Sequence, residues 1–246
     1  MGERAAAAAL RFAARVARRA QVELATEGAR HELARAVAPV SDHGALFDAV
    51  SAFEFVGVRV APLQRRSEFV AFLDLVAEAA PRTVLEIGTA AGGTLLMFAR
   101  VAQPDAVVVG VDWATAATGF GGDAANARRR RLYESFGRDR QRVHYLFADS
   151  HAPETLDRVR TLLHGRAVDL LFVDGDHRYE GVERDFAMYA PLVGDGGIVA
   201  FHDIVPGPPE AVGGVPEFWQ RVKTADAVEL VEDWSQGGYG IGVIRR

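Results

Sequence analysis

The chain has 246 residues, of which 49% are hydrophobic and 25% are charged, and its formal net charge at pH 7 is -5. This composition is typical of a globular protein, and no run approaches the roughly 18 consecutive apolar residues of a membrane-spanning helix. The acidic balance argues against a nucleic-acid partner, because such binding needs a basic surface. Cysteine is absent, which excludes disulfides, cysteine-ligated metals and a cysteine nucleophile, and the chain fits a reducing cytoplasm.

We predict that residues 1–61 form a helical extension. Residues 1–38 are rich in Ala and Arg with apolar positions at helical spacing, Pro39 ends this pattern, and residues 40–44 have the composition of a linker. An oligomerisation arm and a lid are the two roles that we consider. A targeting peptide is the rival interpretation, but such peptides avoid acids such as Glu3.

Helical and strand patterns alternate from about Pro62 to the end of the chain. The predicted strands are 83–87, 106–111, 143–147, 168–173 and 197–201, with a closing pair at 227–231 and 240–244. Helices between strands imply right-handed crossovers and a parallel sheet. We therefore predict an α/β fold for residues 62–246, a Rossmann-like doubly wound sheet of about seven strands, mostly parallel, with the last one antiparallel.

A turn of small residues follows the first predicted strand, where a ligand of such a sheet binds. It runs Glu86-Ile87-Gly88-Thr89-Ala90-Ala91-Gly92-Gly93-Thr94. Small residues let the backbone come close to a ligand. Asp112 can accept hydrogen bonds from ribose hydroxyls and Trp113 can stack on a base, so the pattern predicts a nucleoside-type cofactor. The small-residue loop at 114–123 is predicted to close over it.

The same turn discriminates between two cofactors. A dinucleotide site needs Gly-x-Gly-x-x-Gly, and Ala90 interrupts that pattern. The carboxylate of Glu86 would repel a pyrophosphate but attract a sulfonium or ammonium group. The pattern therefore favours S-adenosylmethionine over NAD.

With these residues the chain resembles class I S-adenosylmethionine-dependent methyltransferases. The resemblance is carried by residues 84–93 and 110–112 and covers about Pro62 to the end. It implies that Asp149 and Ser150, after the third strand, take the adenine side of the cofactor; a helix cap is the alternative role of Asp149. The candidate cofactor-binding residues are Glu86, Gly88, Thr89, Gly92, Gly93, Thr94, Asp112, Trp113, Asp149 and Ser150.

Side chains that can bind metals follow the fourth and fifth predicted strands. The fourth ends in Asp174-Gly175-Asp176-His177 and the fifth in Phe201-His202-Asp203. Because these strand ends share one edge of the sheet, we expect Asp174, His202 and Asp203 to converge beside the methyl group of the cofactor. Such a set suits Mg²⁺, Mn²⁺ or Fe²⁺, and the carboxylates favour Mg²⁺. Capping of the following turns is the alternative role of the two acids.

His177 is the candidate general base, and Asp174 and His177 are the candidate catalytic residues. An alcohol attacks a methyl group poorly, but a bound cation stabilises the developing alkoxide and a nearby imidazole can take the proton. A loop histidine that is hydrogen-bonded to a neighbour is the alternative.

The second half of the chain resembles a narrower family, the metal-dependent sugar and natural-product O-methyltransferases. These include macrolide-sugar and rhamnosyl O-methyltransferases and the cephalosporin-hydroxylase-like group. Residues 172–182, Asp185 and residues 196–203 carry this resemblance. It implies Mg²⁺ on Asp174 and Asp203 with His177 as base, and members of this group often oligomerise.

Some relatives carry Glu at the position of His202, which leaves its ligand role and the identity of the metal open.

The function predicted from these features is a cytoplasmic, metal-dependent O-methyltransferase. Its acceptor is a hydroxyl of a sugar on a glycosylated natural product, and it is a homo-oligomer without nucleic-acid or membrane partners. Three rivals remain. A non-catalytic partner subunit has no need of the acid and His cluster, an NAD-dependent oxidoreductase lacks its glycine pattern, and a metal-dependent hydrolase leaves Glu86 unexplained.

Overall fold

The computed structural model describes residues 23–113 and 123–246. The predicted helix before residue 23 and most of the loop at 114–123 lie outside these residues. Helix α1 covers residues 23–37, and α2 (His43–Ala52) begins inside the predicted linker. The reason is Asp42, which caps α2 by accepting a hydrogen bond from the Ala45 N–H at 2.7 Å.

A short antiparallel hairpin of β1 (Glu54–Phe55) and β2 (Val58–Arg59) follows, and then the α/β pattern begins. The remaining strands are β3 (Thr83–Ile87), β4 (Val107–Asp112), β5 (Arg142–Phe147), β6 (Val168–Val173), β7 (Val193–His202), β8 (Val228–Leu230) and β9 (Ile241–Arg245). The remaining helices are α3 (Arg66–Ala79), α4 (Gly93–Val101), α5 (Asp123–Glu134), α6 (Pro153–Leu163), α7 (Tyr179–Tyr189), α8 (Pro209–Val212) and α9 (Val215–Val222), with a 3₁₀ turn at Ala190–Leu192.

The large sheet has seven strands in the order β5-β4-β3-β6-β7-β9-β8. Strands β3 to β7 pair in parallel, and β9 runs antiparallel to both of its neighbours. The predicted fold class is therefore confirmed. The chain moves outward from β3 to β5 and then returns to the other side of β3 with β6, and a ligand crevice opens at such a reversal of strand order.

Helices cover both faces of the sheet, which explains why its central strands are mostly apolar. On one face α1 to α5 pack together, and Leu33 of α1 and Phe47 of α2 belong to the same core as Phe69 of α3. On the other face α6, α7 and α9 bury side chains such as Val159, Val182 and Trp219. None of the helices in the described ranges combines the length and apolar character that a membrane span requires.

Phe172 on β6 is the centre of an aromatic cluster, with its ring centroid 5.4 Å from that of Phe98 and 5.5 Å from that of Phe72. It is fully buried, so Phe172→Ala is expected to lower the free energy of unfolding by about 3–5 kcal/mol. Urea titration measures this loss. The control is Val228→Ala, at a side chain that is 42% exposed, which should change stability by less than about 0.5 kcal/mol.

Candidate active site

A cavity of about 530 Å³ opens where β3, β4, β5 and β6 end. Its walls are formed by Ile87, Gly88, Ala90, Val111, Asp112, Trp113, Asp149, Ser150, His151, Asp174, Gly175, Asp176 and Arg178. Gly88 has a φ of +87°, and a Cβ atom there would lie 1.9 Å from the backbone oxygen of Asp174. Only glycine therefore lets the turn after β3 lie against the turn after β6.

The predicted cofactor residues are distributed unevenly around this cavity. Five of them line it, namely Gly88, Asp112, Trp113, Asp149 and Ser150. Thr89, Gly93 and Thr94 line an adjoining recess of about 20 Å³, which also touches Gly88 and Asp174. Glu86 and Gly92 line neither space.

Asp112 is held in place by the glycine turn. Its Oδ2 accepts hydrogen bonds from the Thr89 N–H at 3.2 Å and from the Thr89 hydroxyl at 3.1 Å. Burial raises the pKa of Asp112, and the hydrogen bonds from Thr89 oppose this rise. Trp113 follows with 52% of its surface exposed. A carboxylate and an indole thus stand together at the end of β4.

Glu86 is fully buried behind the turn, and neither of its carboxylate oxygens has a partner in hydrogen-bond geometry. Burial raises its pKa well above the usual range, Thr94 opposes this rise, and the nearby charges of Asp174 and Asp112 add to it. The side chain lies close to the cofactor turn without reaching the cavity wall.

The turn between β5 and α6 forms another wall. Asp149 Oδ1 accepts a hydrogen bond from the His151 N–H at 2.8 Å, whereas the capping position of α6 is Ala152. His151 Nε2 lies 3.2 Å from the Gly181 carbonyl and 3.3 Å from Oδ1 of the fully buried Asp185. Sequence reasoning missed His151 as a wall residue, because its contacts with α7 depend on packing between distant segments.

Asp174, His177 and Asp203 bring one potential ligand atom each to a common centre, with these atoms all within 4.8 Å of one another. His177 Nε2 lies 3.6 Å from Asp174 Oδ1 and 3.6 Å from Asp203 Oδ2. The His177 Nδ1 atom lies 2.5 Å from the Ala211 carbonyl, which orients the ring. The predicted convergence of two strand ends is therefore present, and His177 is part of it.

His202 contacts the same two carboxylate oxygens, although it is not one of the three residues whose ligand atoms all lie within 4.8 Å of one another. Its Nδ1 is 3.2 Å from Asp174 Oδ1 and 3.3 Å from Asp203 Oδ2, and the side chain is 5% exposed. Its Nε2 is buried and has no partner among the described residues. His202 thus contacts both carboxylates from the interior.

Two further contacts reach the carboxylates from parts of the chain that the sequence patterns did not single out. Gln64 Nε2 donates a hydrogen bond to Asp174 Oδ2 at 2.7 Å, and the Tyr239 N–H donates one to Asp203 Oδ1 at 3.0 Å. Neither residue belongs to a recognisable motif, so no local signal could have found them.

The pKa values of Asp174, His177 and His202 are shifted by their neighbours. Burial opposes ionisation of Asp174, but the neighbouring His202 and His177 outweigh burial and lower its pKa to about 2. The nearby carboxylate of Asp174 raises the pKa of His177 to about 9. Burial alone would lower the pKa of His202, yet Asp174 and Asp203 raise it to about 10. The carboxylates thus favour the imidazolium forms of His177 and His202.

The raised pKa of His177 predicts how the stability of the metal-free protein depends on pH. Because the folded-state pKa of about 9 exceeds the ordinary value of 6.5, the stabilisation is complete below pH 6.5 and is lost as the pH rises through 9. Urea unfolding with a chelator at several pH values between 6 and 10 should show this fall. His177→Ala should make this fall smaller, and His202, whose pKa is raised to about 10, should account for the remainder; an equally steep fall in the variant would contradict the assignment.

Comparison with known proteins identifies the domain that carries this cavity. Residues 85–204 match a family model described as a methyltransferase domain. The uncharacterized protein R132 of Acanthamoeba polyphaga mimivirus is 31% identical over 122 residues, which are 49% of this chain and 51% of that protein. The chain thus spans about half the length of this curated relative.

Solved structures are similar to this chain in fold. The O-methyltransferase from Bacillus cereus in complex with SAH has a TM-score of 0.53 and 19% identity, covering 88% of this chain and 96% of that chain. The O-methyltransferase TomG from Streptomyces achromogenes, involved in tomaymycin synthesis and solved in complex with SAM, has a TM-score of 0.50 and 20% identity, covering 87% of each chain. Residues 85–204 thus match a methyltransferase domain, and the chain shares its fold with these two O-methyltransferases, in agreement with the resemblance that its glycine turn and strand ends carry.

Proposed function

We propose that the protein is a metal-dependent O-methyltransferase that moves a methyl group from S-adenosylmethionine to a hydroxyl group. The observation that carries this proposal is the convergence of Asp174, His177 and Asp203 at one edge of the cofactor cavity. Asp174 belongs to both features: its carboxylate is part of the cluster with His177 and Asp203, and the residue also lines the cavity. A reaction between cofactor and acceptor needs this proximity.

The cofactor would lie across the ends of β3, β4 and β5. Asp112 would accept hydrogen bonds from the ribose hydroxyls, Trp113 would stack on the adenine, and Asp149 and Ser150 would face its edge. Gly88 lets the turn after β3 lie against Asp174, and both residues line the cavity in which the methionine portion would lie. Glu86 would act from behind the turn, since its carboxylate is buried there.

The residues at the cluster fit a divalent cation. Asp174 stays ionised because of its lowered pKa, and Asp203 offers a second carboxylate within reach. Carboxylate oxygens are donors that Mg²⁺ or a first-row transition metal accepts. We assign Asp174 and Asp203 as ligands, with His202 orienting both carboxylates from the interior. When bound, a divalent cation would stabilise the negative charge that develops on the acceptor oxygen.

His177 would serve as the general base. In the proposed transfer the acceptor oxygen would attack the methyl carbon of S-adenosylmethionine; an O–C bond would form, the C–S bond would break, and the sulfonium would leave as a neutral thioether. The hydroxyl proton passes to His177 Nε2, while Ala211 holds the other ring nitrogen. His177 can accept this proton only when its neutral form is populated, which requires that the charge of the neighbouring carboxylates is compensated.

The acceptor class that we propose is a sugar hydroxyl on a natural product. The narrower resemblance of residues 172–203 supports the sugar, and TomG, which is similar in fold, takes part in the synthesis of a natural product. We also propose that residues 1–61 are an extension with an oligomerisation or lid role and that residues 62–246 are the catalytic domain.

Asp112 tests the cofactor site. Asp112→Asn is expected to weaken binding of S-adenosylhomocysteine about 10- to 100-fold, because it removes a charged acceptor for the ribose hydroxyls. Calorimetric titration measures this change. Asp105→Asn, at a carboxylate that pairs with Arg82 at the opposite end of β4, should bind as the unaltered protein does.

Metal removal tests the reaction. Incubation with labelled S-adenosylmethionine, Mg²⁺ and a set of glycosylated acceptors should give methylated product, a chelator should abolish it, and added Mg²⁺ should restore it.

His177→Ala should lower kcat about 10²- to 10⁴-fold and leave S-adenosylhomocysteine binding intact. Full turnover after complete metal removal would overturn the metal assignment, and unchanged turnover of the variant would overturn the base.

A further inference from the structure

Two side chains near the start of α3 connect to the candidate metal site, and the proposed function leaves them unassigned. Gln64 precedes the helix and is 9% exposed, and Glu68 lies in its first turn and is 3% exposed. Both are polar side chains buried far along the chain from Asp174 and Asp203. The hydrogen bonds of Gln64 and Glu68 show which groups these two side chains position.

Gln64 fixes one oxygen of Asp174. Its Oε1 accepts a hydrogen bond from the Leu63 N–H at 3.0 Å, which determines that Nε2 is the atom facing Asp174 Oδ2 at 2.7 Å. Oδ2 is thereby engaged, and Oδ1 is the oxygen that faces His177.

Asp203 has the same arrangement with a different donor. Its Oδ1 accepts the Tyr239 N–H, and its Oδ2 faces His177. Each carboxylate thus has one oxygen held from outside and one oxygen directed to the common centre. Tyr239 has a φ of +63°, a conformation that a non-glycine residue keeps only when its surroundings hold it.

Glu68 supplies that support. Its Oε1 accepts hydrogen bonds from the Glu232 N–H at 3.1 Å and from Gln236 Nε2 at 2.7 Å, and its Oε2 accepts one from the Gly240 N–H at 2.9 Å. These three donors belong to the loop between β8 and β9. A single buried carboxylate therefore anchors the loop that carries Tyr239.

We propose that the start of α3 is the outer support of the metal site, in which Gln64 orients Asp174 directly and Glu68 orients Asp203 through the Tyr239 N–H. The inference rests on the proposed function, because it supposes a cation between Asp174 and Asp203. Gln64 and Glu68 are positioning residues, and such residues commonly change metal affinity about 10- to 100-fold when they are altered.

The first test measures binding of Mn²⁺ alone to the full chain by calorimetry and by the electron paramagnetic resonance of the free ion. Gln64→Met keeps the length of the side chain and removes the amide, and we expect it to raise the Kd for Mn²⁺ at least about tenfold. Leu63→Ala, in the same loop at a side chain that is 63% exposed, is the matched control and should leave the Kd unchanged.

The second test uses Glu68→Gln, which leaves one acceptor oxygen for three donors. We expect weaker Mn²⁺ binding and faster amide hydrogen exchange at Tyr239 and Gly240. Ser67→Ala removes only a contact with the Glu232 side chain of the same loop and should change neither quantity. Should Glu68→Gln fail to fold, Gln236→Ala removes one of the three donors and should shift both readouts in the same direction.

The outcomes separate this inference from the proposed function. If the unaltered protein binds no Mn²⁺, the metal part of the proposed function is wrong. If it binds Mn²⁺ and the folded Gln64→Met protein binds with the same Kd, the positioning role of Gln64 is overturned. If loop exchange rises in Glu68→Gln without any change in Kd, the route from Glu68 to Asp203 is overturned.

Discussion

The arrangement of the site depends on two carboxylates held close together at the ends of neighbouring strands. Two unit charges about 4 Å apart repel each other by about 4 kcal/mol at an effective dielectric constant of about 20. Asp174 and Asp203 are both mostly shielded from water, so this repulsion has to be compensated within the protein. In the metal-free protein, the imidazoles of His177 and His202 lie close enough to compensate this repulsion. In the proposed enzyme, a divalent cation would compensate it.

The fold supplies the place for this arrangement. The strand order reverses beside β3, and the turns after β3 and β6 touch where Gly88 lies against the Asp174 backbone. The cofactor cavity and the carboxylate pair therefore share one wall. In the proposed reaction, a methyl donor on one side and a hydroxyl group on the other would meet without any large movement of the sheet.

Support for the site comes from segments outside the central α/β pattern. The segment before α3 reaches Asp174, and the loop between the two last strands reaches Asp203. Both segments converge on the start of α3, which packs with α1, α2 and α4 on one face of the sheet. Helix α3 therefore links the packing of these helices to the orientation of the Asp174 and Asp203 side chains.

The sequence by itself determined the alternation of strands and helices, the Rossmann-like class and the strand ends that carry the chemistry. These follow from local periodicity, from small residues at Gly88 and its neighbours, and from the rule that parallel strands end at one edge. Even the convergence of Asp174 and Asp203 was predictable in this way. The tertiary structure was needed to show that His177 joins His202 beside these two carboxylates and that Glu86 is buried behind its turn.

The contacts of Gln64 and Glu68 were likewise beyond the reach of sequence patterns. Gln64 and Asp174 are separated by 110 residues, and Glu68 and Gly240 by 172 residues. Nothing in the local pattern of either residue specifies such a partner, because these hydrogen bonds depend on the side-chain rotamers that form when distant segments pack together. Local propensity thus determined where the reactive groups lie along the chain, and long-range packing decided which atoms face one another.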